Sequence, residues 1–231
     1  MSIPKQQIEN FESTVKCIRQ EISRAKARRI NERFLDRMDR SRSWMDRSLT
    51  ALRIHDDCEQ AFIALWISLN ALYGVPKDGE SRNKTPDEME RISEYIGLLG
   101  AVNPEALRSC LTEAIQNVNF LGFLSLPYPI DANWTGNMET FKKSKKGPGK
   151  VLDSYREGHV REVLEAVLGR IYVLRKQIFH GCATNNKGTN RGSLFPSIKL
   201  LMVIVPGFWN IMMDHGNHLR WGKLPYPRAT A

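Results

Sequence analysis

In the stretch YVLRKQIFHGCATNN, residues 172–186, an arginine and a histidine interrupt a run of Val, Leu, Ile and Phe. Arg175 and His180 stand five positions apart, and His180 directly precedes Gly181. The pair suits metal-free cleavage of RNA by its own 2′-hydroxyl. An imidazole exchanges protons near neutral pH, so it can take the hydroxyl proton or protonate the leaving oxygen. A guanidinium keeps its charge, and its forked donors can hold a phosphate while negative charge builds in the transition state. The plain alternative is structural. Arg175 can lay its stem along apolar surface with its head in water, and His180 can be a C-terminal cation favoured by the helix dipole.

The element that must position the pair is legible in the spacing. Val160, Val163, Leu164, Val167, Leu168, Ile171, Leu174 and Ile178 recur at helical intervals and predict a helix from about Val160 to Phe179 with one buried stripe. At about 100° per residue, Arg175 falls about 60° from the stripe's centre and His180 about 140° further round. Gly181 can close the helix in a left-handed cap and release His180 from that direction. Helical side chains also lean toward the N-terminus, which carries the histidine back toward the arginine. Alternatively, two copies of the helix can meet across a two-fold axis and pool both pairs in one cleft.

Other residues are candidates for contact or ligation. Lys176, Asn185, Asn190 and Arg191 surround or follow the pair and can reach an RNA strand. Asn70, inside an apolar helix, needs a hydrogen-bond partner, either toward Arg175 or on a neighbouring helix. Trp66 and Tyr73 read as core residues rather than base-stacking platforms. His55, Asp56, Asp57 and Glu59 contain metal-ligand types, as do Asp214, His215 and His218. A helix start and a solvated helix end explain them better, so no metal or other cofactor is expected. Cys17, Cys58, Cys110 and Cys182 lie far apart, the pattern of free thiols.

The remaining chain supplies the scaffold. Net charge is +9, and the first fifty residues hold twelve Lys or Arg against seven Asp or Glu, so a polyanion such as nucleic acid is a natural partner. A second basic cluster, Lys142, Lys143, Lys145 and Lys146, precedes Gly-Pro-Gly-Lys within an irregular insertion between Ser125 and Gly149. Residues 6 to about 40 predict a long charged helix broken before Ser41. Residues 56–74 predict a central helix, opened by acids and stopped by Gly74. Thr85-Pro86-Asp87-Glu88 and Asn103-Pro104-Glu105 mark two further helix starts, and a last helix runs from about Leu194 to Asp214. No segment alternates at period two. The expectation is an all-α bundle of five or six helices, one structural unit with a basic extension over 1–43 and the bundle proper over 44–231. The N-terminus lacks a signal-peptide core and no uninterrupted apolar run reaches about 18 residues, which predicts a cytoplasmic protein with no membrane contact.

Three blocks in order, FIALWISLNALYG (62–74), YVLRKQIFHGCATNN with Asn190-Arg191 beyond it, and LRWGKLPYP (219–227), resemble prokaryotic members of the HEPN superfamily. The resemblance runs from about residue 44 to the C-terminus and leaves out the basic N-terminal helix and the 125–150 insertion. It implies an all-α bundle that homodimerises, with a composite cleft and often metal-independent endoribonuclease activity in RNA-targeting toxins and defence systems. By position, Arg175 and His180 take the motif's catalytic places, and an antitoxin or defence protein is a possible partner. In one respect the chain departs from the family. A small polar residue usually follows the arginine, and here Lys176 does; a lysine binds phosphate but cannot accept a hydrogen bond.

Overall fold

A computed structural model describes residues 3–27, 31–74, 87–126, 147–180, 191–216 and 221. Among them the chain is all-helical, as expected, with nine helices. These are α1 (Lys5–Ala27), α2 (Glu32–Ile54), α3 (Cys58–Tyr73), α4 (Glu88–Val102), α5 (Pro104–Gln116), α6 (Phe120–Ser125), α7 (Pro148–Arg156), α8 (Val160–Phe179) and α9 (Arg191–Asp214). The three beyond the expected six come from a divided N-terminal helix and the short α6 and α7.

The N-terminal division lies before Asn31, not before Ser41. Asn31 caps α2, its side-chain oxygen accepting from the backbone N–H groups of Arg33 (3.0 Å) and Phe34 (3.3 Å). Ser41 sits inside α2, whose run from Glu32 to Ile54 also crosses the 43/44 boundary, so the basic extension and the bundle share a helix. The charged look of α1 conceals an apolar stripe, Phe11, Val15, Ile18, Ile22 and Ala25, which is buried.

Asp57 starts α3 by accepting from the N–H of Gln60 (2.8 Å). Between Cys58 and Tyr73 the helix is buried nearly all round, with Phe62, Leu65, Trp66, Leu69 and Leu72 at 1% exposure or less. It packs most extensively on α2 and also against α9. Small side chains let α2 and α3 approach closely. Ser68 donates to the Ser41 carbonyl (2.7 Å) and its hydroxyl lies 2.9 Å from that of Ser41, so two buried hydroxyls satisfy each other.

At the start of α4, the Asp87 N–H donates to Glu90 (3.0 Å); Thr85 and Pro86 lie outside the described residues. Asn103 both ends α4 and caps α5, accepting from the Ala106 N–H (3.0 Å) with Pro104 in the first turn. Packed on α4 and α7, α8 occupies the expected residues and buries the expected stripe, with Val160 and Ile178 only partly covered at its two ends. Begun three residues earlier than expected, α9 is long and apolar enough to cross a membrane by length and composition, although charged or polar residues interrupt its apolar runs. In the bundle 72% of its most apolar window is buried, which suits a core helix.

Close approach of α9 to α5 depends on Gly207. A Cβ at that position would stand 2.3 Å from the Cys110 sulfur. Burial pushes the Cys110 thiol up to about 12, so it acts as a neutral packing group. Gly207→Ala and Cys110→Ala should therefore compensate each other. In thermal or urea unfolding the double variant should exceed the sum of the singles by at least about 1 kcal/mol. Strict additivity would contradict this contact.

Candidate functional site

Tyr172, Arg175, Lys176, Phe179 and His180 follow the i, i+3, i+4, i+7, i+8 rule and share the outer face of the last two turns of α8. Two cation–ring pairs are built into it. The Arg175 guanidinium lies 4.6 Å from the centroid of the Phe179 ring, and the Lys176 ammonium 5.0 Å from that of Tyr172. Tyr172 in turn stacks on Trp66 of α3, with centroids 6.0 Å apart and planes 28° apart. Trp66 is buried, as the sequence suggests, and anchors the stack. Phe179 is 51% exposed, a large apolar ring on a face otherwise polar.

Arg175 is half-buried. Among the described residues its Nε is enclosed without a hydrogen-bond partner, and no carboxylate ion-pairs with it. His180 is exposed at the C-cap of α8 (φ −89°, ψ 11°), where its N–H still donates to the Lys176 carbonyl (3.0 Å). Arg175 and His180 thus mark the two edges of one face, about 140° apart around the axis. The residues at which the helix could release His180, Gly181 onward, lie outside the described residues. So do Asn185, Asn190, Cys182, His218 and the lysines at 142, 143, 145 and 146; Arg191 is described by its backbone alone.

Beside Arg175 lies a polar group the sequence only half reveals. Asn70 is half-buried, and its side-chain amide contacts the hydroxyl of Tyr73, one turn on in α3. That hydroxyl also donates to Glu88 of α4 (2.9 Å). The Tyr73 hydroxyl thus has two acceptors in reach, Asn70 Oδ1 and the Glu88 carboxylate, and its single proton is shared between them. Burial, then the charge and hydrogen bond of Glu88, hold the Tyr73 hydroxyl far above its usual pKa; Arg175 and Arg91 pull the other way. Arg175 therefore faces a polar neighbourhood that holds the Glu88 carboxylate, without forming an ion pair among the described residues. Tyr73 and Phe179 could have been suspected from their offsets, three from Asn70 and four from Arg175. Glu88 could not, because it meets Tyr73 only through the packing of α3 on α4.

Among the described residues, part of the basic N-terminal charge is paired within the fold. Across α1 and α2, Arg19 pairs with Asp46 (2.6 Å), Lys26 with Asp39 (3.3 Å), Arg53 with Glu12, and Arg42 with both Asp39 (2.7 Å) and Asp46. Arg37 is turned inward and 2% exposed. Among the other ligand candidates, Asp57 serves α3 as its cap, and Asp56 occupies a left-handed turn (φ 47°). No group of three His, Cys, Asp or Glu placed to hold a metal occurs among the described residues. Compared with known families, curated proteins and solved structures, the chain matches none.

The Tyr73 environment has a pH signature. Because its folded pKa is raised, its contribution to stability is fully present below about pH 10 and is lost as pH rises above that value. Between about pH 10 and 11 the wild type should lose stability more steeply than Tyr73→Phe, by up to about 1.4 kcal/mol per pH unit. Parallel curves from chemical unfolding at each pH would contradict the Tyr73–Glu88 arrangement.

Proposed function

We propose that the protein is a HEPN-type, metal-independent endoribonuclease that acts in the cytoplasm as a homodimer, in an RNA-targeting toxin or defence role. One observation carries the reading. Among the described residues the Arg175 guanidinium, 4.6 Å from the Phe179 ring centroid, has no ion-pair partner, and a phosphate would supply one. The three HEPN-like blocks support the same reading, and the exposed imidazole of His180 stands where a proton carrier can reach a strand held on that face.

In this reaction the 2′-oxygen attacks the adjacent phosphorus and the bond to the 5′-oxygen breaks. Imidazole accepts the 2′-hydroxyl proton, and an imidazolium protonates the departing oxygen. The products are a 2′,3′-cyclic phosphate and a 5′-hydroxyl. Arg175 holds the non-bridging oxygens and is worth most as the phosphorane forms. Two copies meeting through α8 bring the Arg175 edge of one face beside the His180 edge of the other, which is the use of a two-fold axis here. Lys176, drawn over Tyr172, adds charge for the backbone rather than a hydrogen-bond acceptor, and Phe179 offers a ring on which an unpaired base can stack. A second reading, a HEPN-like module that binds RNA or a partner without cutting, is favoured by the wide separation of Arg175 and His180 around α8.

Labelled RNA incubated with the protein in EDTA separates the two. Cleavage should proceed, leaving 2′,3′-cyclic phosphate ends, and His180→Ala and Arg175→Ala should each lose it by about a hundredfold or more. The double variant should lose little beyond either single one, as expected of groups acting together. RNA binding should survive His180→Ala better than Arg175→Ala, because the guanidinium is permanently charged. Products ending in 3′-hydroxyl, or activity restored only by added metal, would exclude this mechanism; binding without cleavage selects the second reading. Light scattering at micromolar concentration should give twice the chain mass, and a monomer would remove the composite cleft.

A further inference from the structure

The end of α8 holds a ring whose place core packing does not explain. Phe179 is the last residue of the helix, one turn beyond Arg175 and directly before His180. It is 51% exposed, and its one cation–ring or ring–ring contact among the described residues is with the Arg175 guanidinium, 4.6 Å from the ring centroid. The pair two turns earlier is built differently. Tyr172 stacks on the buried Trp66 at 6.0 Å, so α3 fixes that ring. Phe179 has no such ring anchor among the described residues, and what it holds is the arginine.

Holding an arginine ready for a phosphate is a specific demand. A guanidinium sits on a long stem, and fixing it costs much of the side chain's rotamer freedom. A carboxylate could fix it through its forked donors, but would occupy the donors and offset the charge that a phosphate needs. A ring fixes it through the π-face and leaves its charge in place. Arg175 is held in the second way. It has no ion-pair partner among the described residues, and the Glu88 carboxylate near it accepts from Tyr73 instead (2.9 Å).

We propose, resting on the ribonuclease reading, that Phe179 is a positioning residue whose ring sets the Arg175 guanidinium in place for the scissile phosphate. Phe179 exchanges no proton and carries no charge; it acts through Arg175. An ordered guanidinium serves the transition state, where charge on the non-bridging oxygens is greatest, more than the first encounter with RNA, which any nearby cation assists. Loss of the ring therefore slows cutting more than it weakens binding. A cation–ring attraction corresponds to about two- to thirtyfold, which sets the scale. This task differs from stacking a base, because only positioning is coupled to Arg175.

The test uses the full chain with Phe179→Leu, which removes the ring, and Phe179→Tyr, which keeps it. Circular dichroism and unfolding midpoints should match the wild type, since a half-exposed ring adds little to the core. Placement is read without RNA from the NMR signal of the Arg175 Nε–H, assigned by its loss in Arg175→Ala. Phe179→Leu should move that signal to the position of a free arginine, and Phe179→Tyr should leave it ring-shifted; a signal that Phe179→Leu leaves unmoved would overturn the proposal. With labelled RNA in EDTA, Phe179→Leu should cut about tenfold more slowly at saturating RNA, with KM within about threefold of the wild type. Phe179→Tyr should cut within about threefold of the wild-type rate. Added to Arg175→Ala in single-turnover reactions, Phe179→Leu should cost less than about twofold more, because its route to the phosphate is already gone. An equal loss in both backgrounds, or a loss confined to KM, would assign the ring to base stacking and overturn the positioning role. RNA cut equally fast by wild type and Phe179→Leu defeats the positioning role alone, whereas RNA that the wild type leaves intact defeats the ribonuclease reading and this role with it.

Discussion

The burial of α3 is the constraint on which the rest of the structure depends. A helix apolar around most of its circumference is stable in water only if other helices enclose it. Here α2 covers one side and α9 another. Each fully buried Leu, Phe or Trp on α3 contributes roughly 2 kcal/mol relative to exposure, so the enclosure is the dominant favourable term. The polar exceptions are arranged to permit that enclosure. Ser41 and Ser68 bond each other between α2 and α3, and Asn70, Tyr73 and Gly74 fall at the end of the helix. That last turn therefore becomes the meeting point of two features. The Tyr73 hydroxyl belongs to the polar group beside Arg175, and the same residue lines a cavity that reaches Arg37 and Arg91.

Charge follows a different logic from what the sequence total suggests. A surplus of cations over α1 and α2 looks like a surface for a polyanion. In the folded chain the carboxylates of Glu12, Asp39 and Asp46 are placed to pair with cations of the facing helix, and Asp39 and Asp46 also take Arg42 of their own. Exposed pairs of this kind add about 0–1 kcal/mol each. Their larger consequence is to engage four cations, Arg19, Lys26, Arg42 and Arg53, within the fold. On α8 the arginine carries no ion pair among the described residues, and a nearby lysine, histidine and exposed ring share its face. Local arrangement, not net charge, singles out α8.

Much of the fold was legible because it rests on local physics. Helical spacing marked α3 and α8, and the Asn103-Pro104 start was visible because caps and proline act within one turn. The sequence was misread where a decision depended on partners far along the chain. The division before Asn31 was missed because Asn31 lies within a long run of helix-compatible charged residues, and its capping role emerges only with the break. For the site, Arg175, Lys176 and His180 could be picked out from type and spacing, and Phe179 from its offset. Glu88 and the inward turn of Arg37 could not, since both are set by how α2, α3 and α4 pack.

The position of Arg175 is informative for a reason that spacing alone does not convey. An arginine at a stripe edge ordinarily sends its head into water, and the stem does the packing. Here the head is folded back over Phe179, with its Nε enclosed. Folding a guanidinium against a ring sacrifices hydration on one face, and the ring's attraction returns part of it, about 0.5–2 kcal/mol depending on exposure. It also leaves the ring half in water, where a long apolar side chain normally finds cover. On the proposed function, both departures would be relieved by one event, arrival of a partner that brings an anion to the guanidinium and a flat surface to the ring. A nucleotide carries both, phosphate and base, at adjacent points of one strand. On the proposed function, the end of α8 would receive phosphate and base from one strand.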